Sequence, residues 1–415
     1  MKINRISECR ICGNAHLVDI LSLGDQALTG VFPKRSEEEV PAGPLELVKC
    51  HGQGVCNLVQ LRHSFEADKM YGENYGYRSG LNASMVSHLR EKAEKLQKII
   101  SLVPGDLVLD IGSNDGTSLS FYPKEIDRVG MDPTSAKFRQ YYQEGITAIP
   151  DFFTAENFIS HLGIRKARII SSIAMFYDLE DPMQFVRDIA AVLAEDGIWH
   201  LEQSYLPLMM ERNAYDTICH EHVEYYALRQ IKWMAERCGL RILDVEINDT
   251  NGGSFAVTIC KSESSLVSNQ DHISSMIKSE QDLGLDQLGP YEQFKERVLR
   301  HRDELRDLLH KLKVSGAKIF GYGASTKGNV ILQFCGMTKE DLEAIAEVNP
   351  DKFGSFTPGT LISIISENDA HAQRPAYLLV LPWHFRDNLI QREAAYLKAG
   401  GKMIFPLPSI EIVEG

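Results

Sequence analysis

The sequence predicts an α/β protein with two Rossmann-like units and a small cysteine-rich domain at the N-terminal end. An apolar run that ends in Asp-Ile-Gly-Ser-Asn-Asp-Gly at residues 110–116 is typical of a buried parallel strand followed by a glycine loop. A second strand and glycine loop recur at residues 318–328, and two cysteine pairs precede residue 57. We therefore expect three domains, at residues 1–75, 76–265 and 266–415.

Composition is typical of an ordinary globular protein. Of the 415 residues, 44% are hydrophobic and 24% are charged, and no apolar run approaches the roughly 20 residues of a membrane-spanning helix. The formal net charge of −13 argues against nucleic acid and anionic membrane as partners. The eight cysteines follow no apolar signal segment, which favours a reducing compartment. We expect a cytoplasmic protein that is a monomer or a small homo-oligomer.

The cysteine pairs predict a structural zinc site in the first domain. The four residues are Cys9, Cys12, Cys50 and Cys56. Two thiolate pairs near glycines suit a tetrahedral zinc ion, although the second spacing exceeds the usual two to four residues. His51 or His63 could replace one thiolate, and four unliganded cysteines are the alternative. A redox role is less expected, because no strand–helix pattern surrounds the first pair.

An aromatic and polar segment follows the cysteine-rich domain. Tyr77 and Arg78 in this segment suit stacking and phosphate contacts, so it is either a simple connection or a lid that brings both side chains to the substrate. A helix is predicted from about residue 84 to 101, because Leu89, Ala93 and Leu96 recur on one face.

The central unit alternates strands and helices. Its strands are predicted at residues 107–110, 128–131, 147–149, 168–172, 197–202, 241–247 and 254–260. The short turn at residues 248–253 makes the last two strands an antiparallel pair. The result is a seven-stranded sheet with one antiparallel edge strand.

The glycine loop of the central unit predicts a cofactor site. Gly112 and Gly116 let the backbone turn and approach a ligand, and the loop should lead into a helix whose N–H groups face that ligand. Asp132 ends the next strand, where a carboxylate can bind two ribose hydroxyls. The glycine spacing argues against a nucleoside triphosphate and a dinucleotide. The pattern looks like the S-adenosylmethionine (SAM) site of class I methyltransferases. A generic turn with a solvated Asp132 is the alternative.

The residues predicted to contact SAM lie after three successive strands. Those of the loop and the second strand are Asp110, Gly112, Ser113, Asn114, Asp115, Gly116 and Asp132. Those expected against adenine, after the third strand, are Asp151, Phe152 and Phe153.

The last third of the chain predicts a second α/β unit. Residues 261–290 are rich in Ser, Asp and Gln and are predicted to be a linker, followed by a long helix at about 291–312. Further strands are predicted at residues 318–320, 344–348, 376–381 and 402–406. Ser325 and Lys327 in the second glycine loop suit a diphosphate, and a helix-capping turn is the alternative.

The most polar stretch, residues 215–226, lies beyond the fifth predicted strand on the ligand side of the sheet. Methyl transfer to carbon needs a carbanion, which a modest base can generate as an enolate beside a ketone. Histidine suits that task, which favours His222, and Glu221 could orient the base or bind a sugar hydroxyl. Metal binding by His220, His222 and Glu224, or a structural histidine cluster, are the alternatives.

At this point the sequence resembles, over nearly its full length, the sugar C-methyltransferases that act on nucleotide-linked 4-keto-deoxyhexoses. The motifs that carry the resemblance are Cys9-x-x-Cys12 with Cys50 and Cys56, Leu58-Val-Gln-Leu61, Asp110-Ile-Gly-Ser-Asn-Asp-Gly116, Asp216-Thr-Ile-x-His-Glu-His222, Asn251-Gly-Gly-Ser254 and Gly321-Tyr-Gly-Ala-Ser325. The resemblance implies a zinc-bearing first domain, a SAM domain and a Rossmann-like last domain. It also implies His222 as base, Glu221 as a substrate partner, and a sugar nucleotide between the last two domains, where we also expect Asn251.

Two departures from that family affect the expected chemistry. Cys219 stands where the family often has Tyr, and residues 174–178 lack a His that often follows the fourth strand. We expect Tyr177 to bind the enolate instead, with His220 as a further catalytic candidate. Sugar O-methylation, which needs no acidic C–H bond, and a SAM-binding scaffold without transfer activity are the competing functions.

Overall fold

The structure is a computed structural model that describes residues 2–65 and 78–415. Tyr77 lies outside these residues. The described part forms four β-sheets, of two, four, seven and six strands. None of its helices is long and apolar enough to cross a membrane.

The first part of the chain forms antiparallel sheets around the cysteines. Its strands are β1 (Ile3–Arg5), β2 (Leu17–Ala27), β3 (Ala42–Cys50), β4 (Val59–Leu61) and β5 (His63–Phe65). The four-stranded sheet has the order β11-β4-β3-β2, in which β11 is Glu224–Tyr225 of the polar stretch. A segment predicted to carry chemistry therefore completes a sheet of the first part by pairing antiparallel with β4.

The central sheet has seven strands, one of them antiparallel, as predicted, but the antiparallel strand lies inside the sheet, next to the edge strand, and not at the edge. Its strands are β6 (Leu107–Ile111), β7 (Asp127–Met131), β8 (Ile146–Ile149), β9 (Ala167–Ile173), β10 (Leu193–Ser204), β12 (Leu240–Asn248) and β13 (Ser254–Lys261). Their order is β12-β13-β10-β9-β6-β7-β8, and only β13 runs antiparallel to its neighbours. The strand order reverses between β6 and β9, which opens a crevice at their carboxyl ends.

Helices cover both faces of the central sheet. They are α1 (Ala83–Ile99), α2 (Ser135–Phe138), α3 (Ala155–Leu162), α4 (Pro182–Val192), α5 (Leu206–Glu211) and α6 (Leu228–Arg237). The expected helix after the first glycine loop is wrong, because residues 118–121 form only a 3₁₀ turn. Pro123 follows at once, and a proline disfavours the helical conformation of the residue before it.

The predicted linker is also wrong in part. Residues Gln270–Asp282 form α7, which packs on the edge of the central sheet with Ile273 and Met276 buried. The segment holds too few apolar residues to show the period of a helix, and one of the residues that it buries, Glu280, is polar. The long helix α8 (Gly289–Val314) then leads to the last sheet.

The last sheet is a second parallel unit with an antiparallel edge. Its strands are β14 (Ile319–Tyr322), β15 (Ile345–Glu347), β16 (Ile364–Ser366), β17 (Tyr377–Val380), β18 (Lys402–Phe405) and β19 (Glu411–Glu414). Its helices are α9 (Thr326–Phe334), α10 (Glu367–Ala372), α11 (Arg386–Arg392) and α12 (Ala394–Lys398). The order β16-β15-β14-β17-β18-β19 reverses between β14 and β17, which creates a second crevice.

Candidate active site

A carboxylate at the end of β7 organises the first glycine loop. Asp132 accepts the backbone N–H of Asn114 through Oδ2 at 2.8 Å, and the N–H and hydroxyl of Thr134 through Oδ1, both at 2.6 Å. A carboxylate oxygen can accept two hydrogen bonds, so one accepting position on Oδ2 is not used by these contacts. Asp132, which is 7% exposed, can therefore hold the loop and a ribose hydroxyl together.

Two glycines keep this loop close to its neighbours. The φ angles of Gly112 and Gly116 are +71° and +75°, which favour glycine. A Cβ on Gly112 would lie 3.1 Å from Met175 Cγ, and one on Gly116 would lie 2.8 Å from the Tyr142 ring. A side chain at Gly116 would therefore displace the loop or the tyrosine.

Polar side chains fix the floor of the loop. Asp110 accepts the hydroxyl of Ser171 at 2.5 Å. Burial raises the pKa of Asp110 to about 7, although the Ser171 hydrogen bond lowers it, and the charge of Asp132 makes a smaller contribution in the same direction as burial. The hydroxyl of Ser113 lies 2.7 Å from that of Tyr142. These hydrogen bonds fix the position of the loop without a ligand.

Arg78 lies beside this loop. Its Nε is 3.4 Å from Asp115 Oδ2, and its guanidinium stacks 3.5 Å from the centre of the Tyr141 ring. Asp115 also accepts the N–H of Gly80 at 3.0 Å. Arg78, which was predicted to contact the substrate, therefore lies beside the glycine loop of the cofactor site.

The three residues expected against adenine differ in position. Phe152 is 53% exposed beyond β8, whereas Phe153 packs into the core, 5.3 Å from the Phe185 ring centre. Asp151 is exposed and lies 3.0 Å from His161. Of the two phenylalanines, only Phe152 is exposed to a planar ligand. The exposed ring of Phe152, the glycine loop and the carboxylate of Asp132 together fit SAM.

His222 lies in a narrow pocket beside the first crevice. Its Nδ1 is 2.8 Å from the carbonyl oxygen of Thr217, and its ring centre is 4.2 Å from that of Tyr177. Both rings line the pocket, together with Ser204 and Glu224. Burial, and secondarily the charge of Lys327, lower the pKa of His222 to about 4, so the imidazole is neutral at neutral pH.

The neighbours of His222 point elsewhere. His220 is buried with Nε2 3.2 Å from the carbonyl oxygen of Gly43 and its ring 4.6 Å from that of Phe65, so the structure does not bring it to the pocket. Glu221 Oε1 would lie 3.2 Å from a Cβ on Gly30, and its buried Oε2 has no hydrogen-bond partner among the described residues. Burial raises the pKa of Glu221.

The second glycine loop reaches this stretch from the last sheet. Lys327 Nζ donates to the carbonyl oxygen of Asn251 at 2.6 Å, and its charge acts on both His222 and Asp216. Ser325 Oγ accepts the N–H of Gly328 at 3.0 Å, so this residue caps α9, as the alternative interpretation held. Lys327 is thus the charged group that the loop offers to the crevice.

Two residues that sequence reasoning missed lie across the second crevice. Trp383 Nε1 donates to Asp216 Oδ2 at 2.7 Å, and in the part of the chain that the structure describes the buried Nδ1 of His384 has no hydrogen-bond partner. Burial, and then Lys327, lower the pKa of His384 to about 3. Both residues follow β17, which was predicted as a strand at residues 376–381. Their position directly after a predicted strand is the sequence signal from which they could have been predicted.

The four cysteines come together as predicted. Their Sγ atoms all lie within 4.8 Å of one another, with 3.4 Å for Cys9 and Cys56 and 3.5 Å for Cys12 and Cys50. A tetrahedral zinc with Zn–S bonds of about 2.3 Å needs sulfurs about 3.8 Å apart, which this cluster approaches. Neither His51 nor His63 belongs to it. In the described part of the chain no second such group exists, so His220, His222 and Glu224 form no metal site.

This fold and these sites define a SAM-dependent class I methyltransferase with a zinc-binding domain. Family models match three consecutive parts: a zinc binding domain at residues 9–71, a methyltransferase domain at 85–245 and a C-methyltransferase C-terminal domain at 249–408. The chain is 31% identical to C-methyltransferase NovU of Streptomyces niveus over 99% of its own length and 98% of that protein. It belongs to this C-methyltransferase family. SAM is its cofactor, and its zinc-binding domain contains the cluster of four cysteines, which could hold the metal ion.

Solved structures match the chain only in part. The plantazolicin methyltransferase BpumL in complex with SAH aligns at 12% identity over 45% of this chain and 88% of that one, with a TM-score of 0.36. The mitomycin 7-O-methyltransferase MmcR aligns at 13% identity over 44% and 55%, with a TM-score of 0.34. Because these matches cover less than half of the chain, the fold is defined by the strand order described above.

Proposed function

We propose that this enzyme transfers the methyl group of SAM to the carbon beside the ketone of a nucleotide-linked 4-keto-deoxyhexose, with His222 as the general base. The observation that carries the proposal is the hydrogen bond of His222 Nδ1 to the carbonyl of Thr217 at 2.8 Å. A carbonyl oxygen can only accept, so Nδ1 carries the proton and the lone pair of the neutral ring is on Nε2. That nitrogen is available for proton abstraction in the pocket.

The steps assign one task to each side chain. Nε2 of His222 removes the proton from the carbon next to the ketone, and the electron pair moves to the ketone oxygen as an enolate. Tyr177, whose ring lies 4.2 Å from His222, donates a hydrogen bond to that oxygen. SAM, when bound, would supply the electrophilic methyl group; the substrate carbon takes it as the ketone re-forms, and the electron pair of the broken methyl–sulfur bond stays on the sulfur. His222 then returns its proton to solvent.

The position of the substrate follows from the two crevices. In open α/β sheets, ligands bind outside the carboxyl ends of the strands where strand order reverses. Met175 and Tyr177 follow β9 at the first crevice, and Lys327 and His384 flank the second. The positive charge of Lys327 lowers the pKa of both His222 and His384, in addition to the larger effect of burial. A sugar at His222 with its diphosphate near Lys327 would span the two crevices.

Solvent exchange at the substrate carbon tests the proposal. The enzyme is incubated in D₂O, without SAM, with a panel of nucleotide 4-keto-deoxyhexoses, and each sugar is examined by NMR. We expect deuterium at one carbon next to the ketone, and a methyl group at the same carbon when SAM is added. The matched 4-hydroxy sugar nucleotides should show neither.

Two outcomes would contradict the proposed reaction. Methyl transfer to oxygen without any exchange would indicate O-methylation. SAM binding with neither exchange nor transfer across the panel would indicate a different acceptor or a scaffold.

A further inference from the structure

The residues directly before Thr217 have no task in the proposed reaction, although both are completely buried. Tyr215–Thr217 form a 3₁₀ turn that belongs to the methyltransferase domain by its place in the chain. The carbonyl oxygen of Thr217, the last residue of the turn, accepts the hydrogen bond of His222 Nδ1 at 2.8 Å. The position of the turn therefore sets the direction of this carbonyl, and with it the orientation of the imidazole ring.

Asp216 connects the middle of the turn to the last domain. Its Oδ2 accepts the Nε1–H of Trp383, which follows β17 of the last sheet, at 2.7 Å. Burial raises the pKa of Asp216, whereas the charge of Lys327 and the hydrogen bond from Trp383 lower it. Two groups of the last domain thus compensate for the burial of a carboxyl group that belongs to the methyltransferase domain.

Tyr215 anchors the start of the turn on two helices of the last part of the chain. Its hydroxyl lies 3.2 Å from His301 Nδ1 in α8, and its ring centre lies 5.3 Å from that of Phe334 in α9. His301 Nε2 lies 2.5 Å from the carbonyl oxygen of Pro406, which can only accept, so Nε2 carries a proton. Burial lowers the pKa of His301, which favours the neutral ring, and its Nδ1 therefore accepts the hydrogen of Tyr215.

Consecutive residues of this turn therefore bind different domains. Tyr215 and Asp216 contact the last domain through their side chains, whereas the carbonyl of Thr217 contacts His222 of the methyltransferase domain. Each residue of the turn has only two soft backbone dihedral angles. The side-chain contacts of the first two residues thus restrict the direction of the carbonyl of the third.

We propose that Asp216 and Trp383 are positioning residues that hold the Thr217 carbonyl where it keeps the proton of His222 on Nδ1. The catalytic meaning of this assignment rests on the proposed function, because both concern the same base. The last domain thereby selects the tautomer in which Nε2 of His222 has the lone pair. Without the contact the ring also adopts the other tautomer, whose Nε2 carries a hydrogen and cannot accept one.

Nitrogen NMR of the histidine rings tests the assignment without any substrate. The full-length zinc-loaded enzyme is prepared with isotope-labelled histidine, and the signals of His222 are identified by their loss in His222→Asn. The shifts of the two ring nitrogens show which of them carries the proton. At neutral pH we expect the Nδ1–H tautomer in the wild-type enzyme. We expect a mixture of both tautomers in Trp383→Phe, which keeps an aromatic ring but lacks the N–H donor.

Solvent exchange at the keto sugar measures the consequence for the reaction. Misplacement of a catalytic group by about 1 Å can cost roughly a hundredfold in rate, so kcat for exchange should fall about tenfold or more in Trp383→Phe. KM and SAM affinity should stay close to the wild-type values, because the removed N–H is used in the contact with Asp216. Asp216→Asn retains an oxygen that can accept this N–H and should keep most of the activity.

Trp233→Phe is the matched control for the loss of a tryptophan. The Arg237 guanidinium lies 3.4 Å from the centre of the Trp233 ring in α6, away from the turn, so this variant should keep the wild-type tautomer and exchange rate. A wild-type tautomer of His222 in Trp383→Phe would overturn the assignment. The same change of tautomer in both tryptophan variants would also overturn it, because the effect would not be specific to the contact with Asp216.

The positioning role and the proposed reaction can fail separately. If no keto sugar exchanges its proton with the wild-type enzyme, the proposed reaction fails, while the tautomer of His222 in Trp383→Phe still decides whether the last domain positions this ring. If Trp383→Phe exchanges at the wild-type rate and keeps the wild-type tautomer, the reaction stands and the positioning role is rejected.

Discussion

At the scale of single residues, one hydrogen bond gives His222 its proposed role. The carbonyl of Thr217 fixes the Nδ1 proton, and the Tyr177 ring packs against the imidazole at a tilt of 57°, with 4.2 Å between the ring centres. His220, two residues earlier, has the same side chain but lies against Gly43 and Phe65. Two identical imidazoles in one motif therefore face different surroundings, and only one of them faces the pocket.

We expect His222→Asn to lose methyl transfer and solvent exchange together. Removal of a general base typically costs about 10²–10⁴ in rate. SAM affinity should change little, because the cofactor loop lies on β6 and β7. Stopped-time NMR of exchange and a radiolabel transfer assay measure the two activities.

His220→Asn is the matched control for this experiment. It removes an imidazole from the same motif outside the pocket, so it should be much milder on exchange. If His220→Asn abolishes exchange while His222→Asn retains it, the base has been assigned to the wrong histidine.

The pH dependence of exchange provides a second prediction for His222. The base must be neutral, and burial lowers its pKa to about 4. The kcat/KM for exchange should therefore stay level as pH falls from neutral and decline only as pH approaches about 4, provided the protein remains folded by circular dichroism. An acid limb near the ordinary histidine value of about 6.5 would contradict the described environment.

Asp132→Ala should weaken SAM binding about tenfold or more. The change removes the ribose acceptor and leaves the N–H groups of Asn114 and Thr134 unpaired, each at a cost of about 1–3 kcal/mol if they stay buried. Calorimetric titration with SAM measures the effect. Asp127→Ala, an exposed carboxylate at the other end of β7 that pairs with Arg165, should bind SAM normally. Equal affinities of the two variants would reject Asp132 as the ribose ligand.

At the scale of elements, α7 acts as a cap for another helix. Glu280 in α7 is buried and accepts the N–H groups of Leu228 and Arg229, the first residues of α6, at 2.6 and 3.1 Å. It also accepts the hydroxyl of Tyr205 at 2.8 Å. A carboxylate at a helix N-terminus satisfies free N–H groups and favours the helix dipole.

Glu280→Ala should destabilise the protein by about 3 kcal/mol or more. Three buried donors would lose their acceptor, and each costs about 1–3 kcal/mol. Urea unfolding followed by tryptophan fluorescence measures the change. Asp282→Ala, on the exposed side of the same helix, removes only a contact with Lys278 and should cost little. Similar costs for both variants would show that Glu280 does not cap α6.

At the scale of the whole molecule, three parts of the chain meet at Gly30. A Cβ there would lie 3.2 Å from Glu221 Oε1 and 4.0 Å from Thr326 Oγ1. The polar stretch also supplies β11 to the first sheet, and Asn329 in α9 donates to the carbonyl oxygen of Thr29 at 2.7 Å. The zinc-binding domain therefore packs against the polar stretch that carries His222.

Loss of zinc should abolish methyl transfer and leave SAM binding largely intact. Closed thiolate sites contribute folding energy to their domain, so Cys12→Ser should lower the metal content from about one equivalent and release Gly30 and β11. Metal analysis, thermal unfolding and the transfer assay measure these effects.

Cys238→Ser changes a thiol outside the cluster and is the matched control. It should retain zinc, melting temperature and activity. If Cys12→Ser keeps full activity after zinc is lost, the first domain does not shape the active site.

Local patterns in the sequence were sufficient for much of the fold. Apolar runs predicted the strands of the central sheet and four of the six strands of the last sheet, but not the short strands β16 and β19. The turn at residues 248–253 predicted the antiparallel pair of β12 and β13, but not that β13 lies inside the sheet. Cysteine spacing predicted the zinc cluster. Each of these properties depends on residues that are close in the sequence or share a repeating period, so no knowledge of distant contacts was needed. Helix α7 was not predicted, because its buried residue Glu280 is polar and the N–H groups that it accepts belong to residues about fifty positions earlier in the chain.

The composition of the active site was decided only by tertiary structure. The motif favoured His222 and kept His220 as a further candidate, and the folded chain separates them: His220 packs against Gly43 and Phe65, whereas His222 lies beside Thr217 and Tyr177. Trp383 and His384 follow a predicted strand, but they become site residues only because strand ends from distant parts of the chain meet in the folded protein. Sequence alone thus determined the elements and the cofactor class, whereas long-range packing decided which side chains face one another, because burial and hydrogen-bond partners are properties of the folded chain.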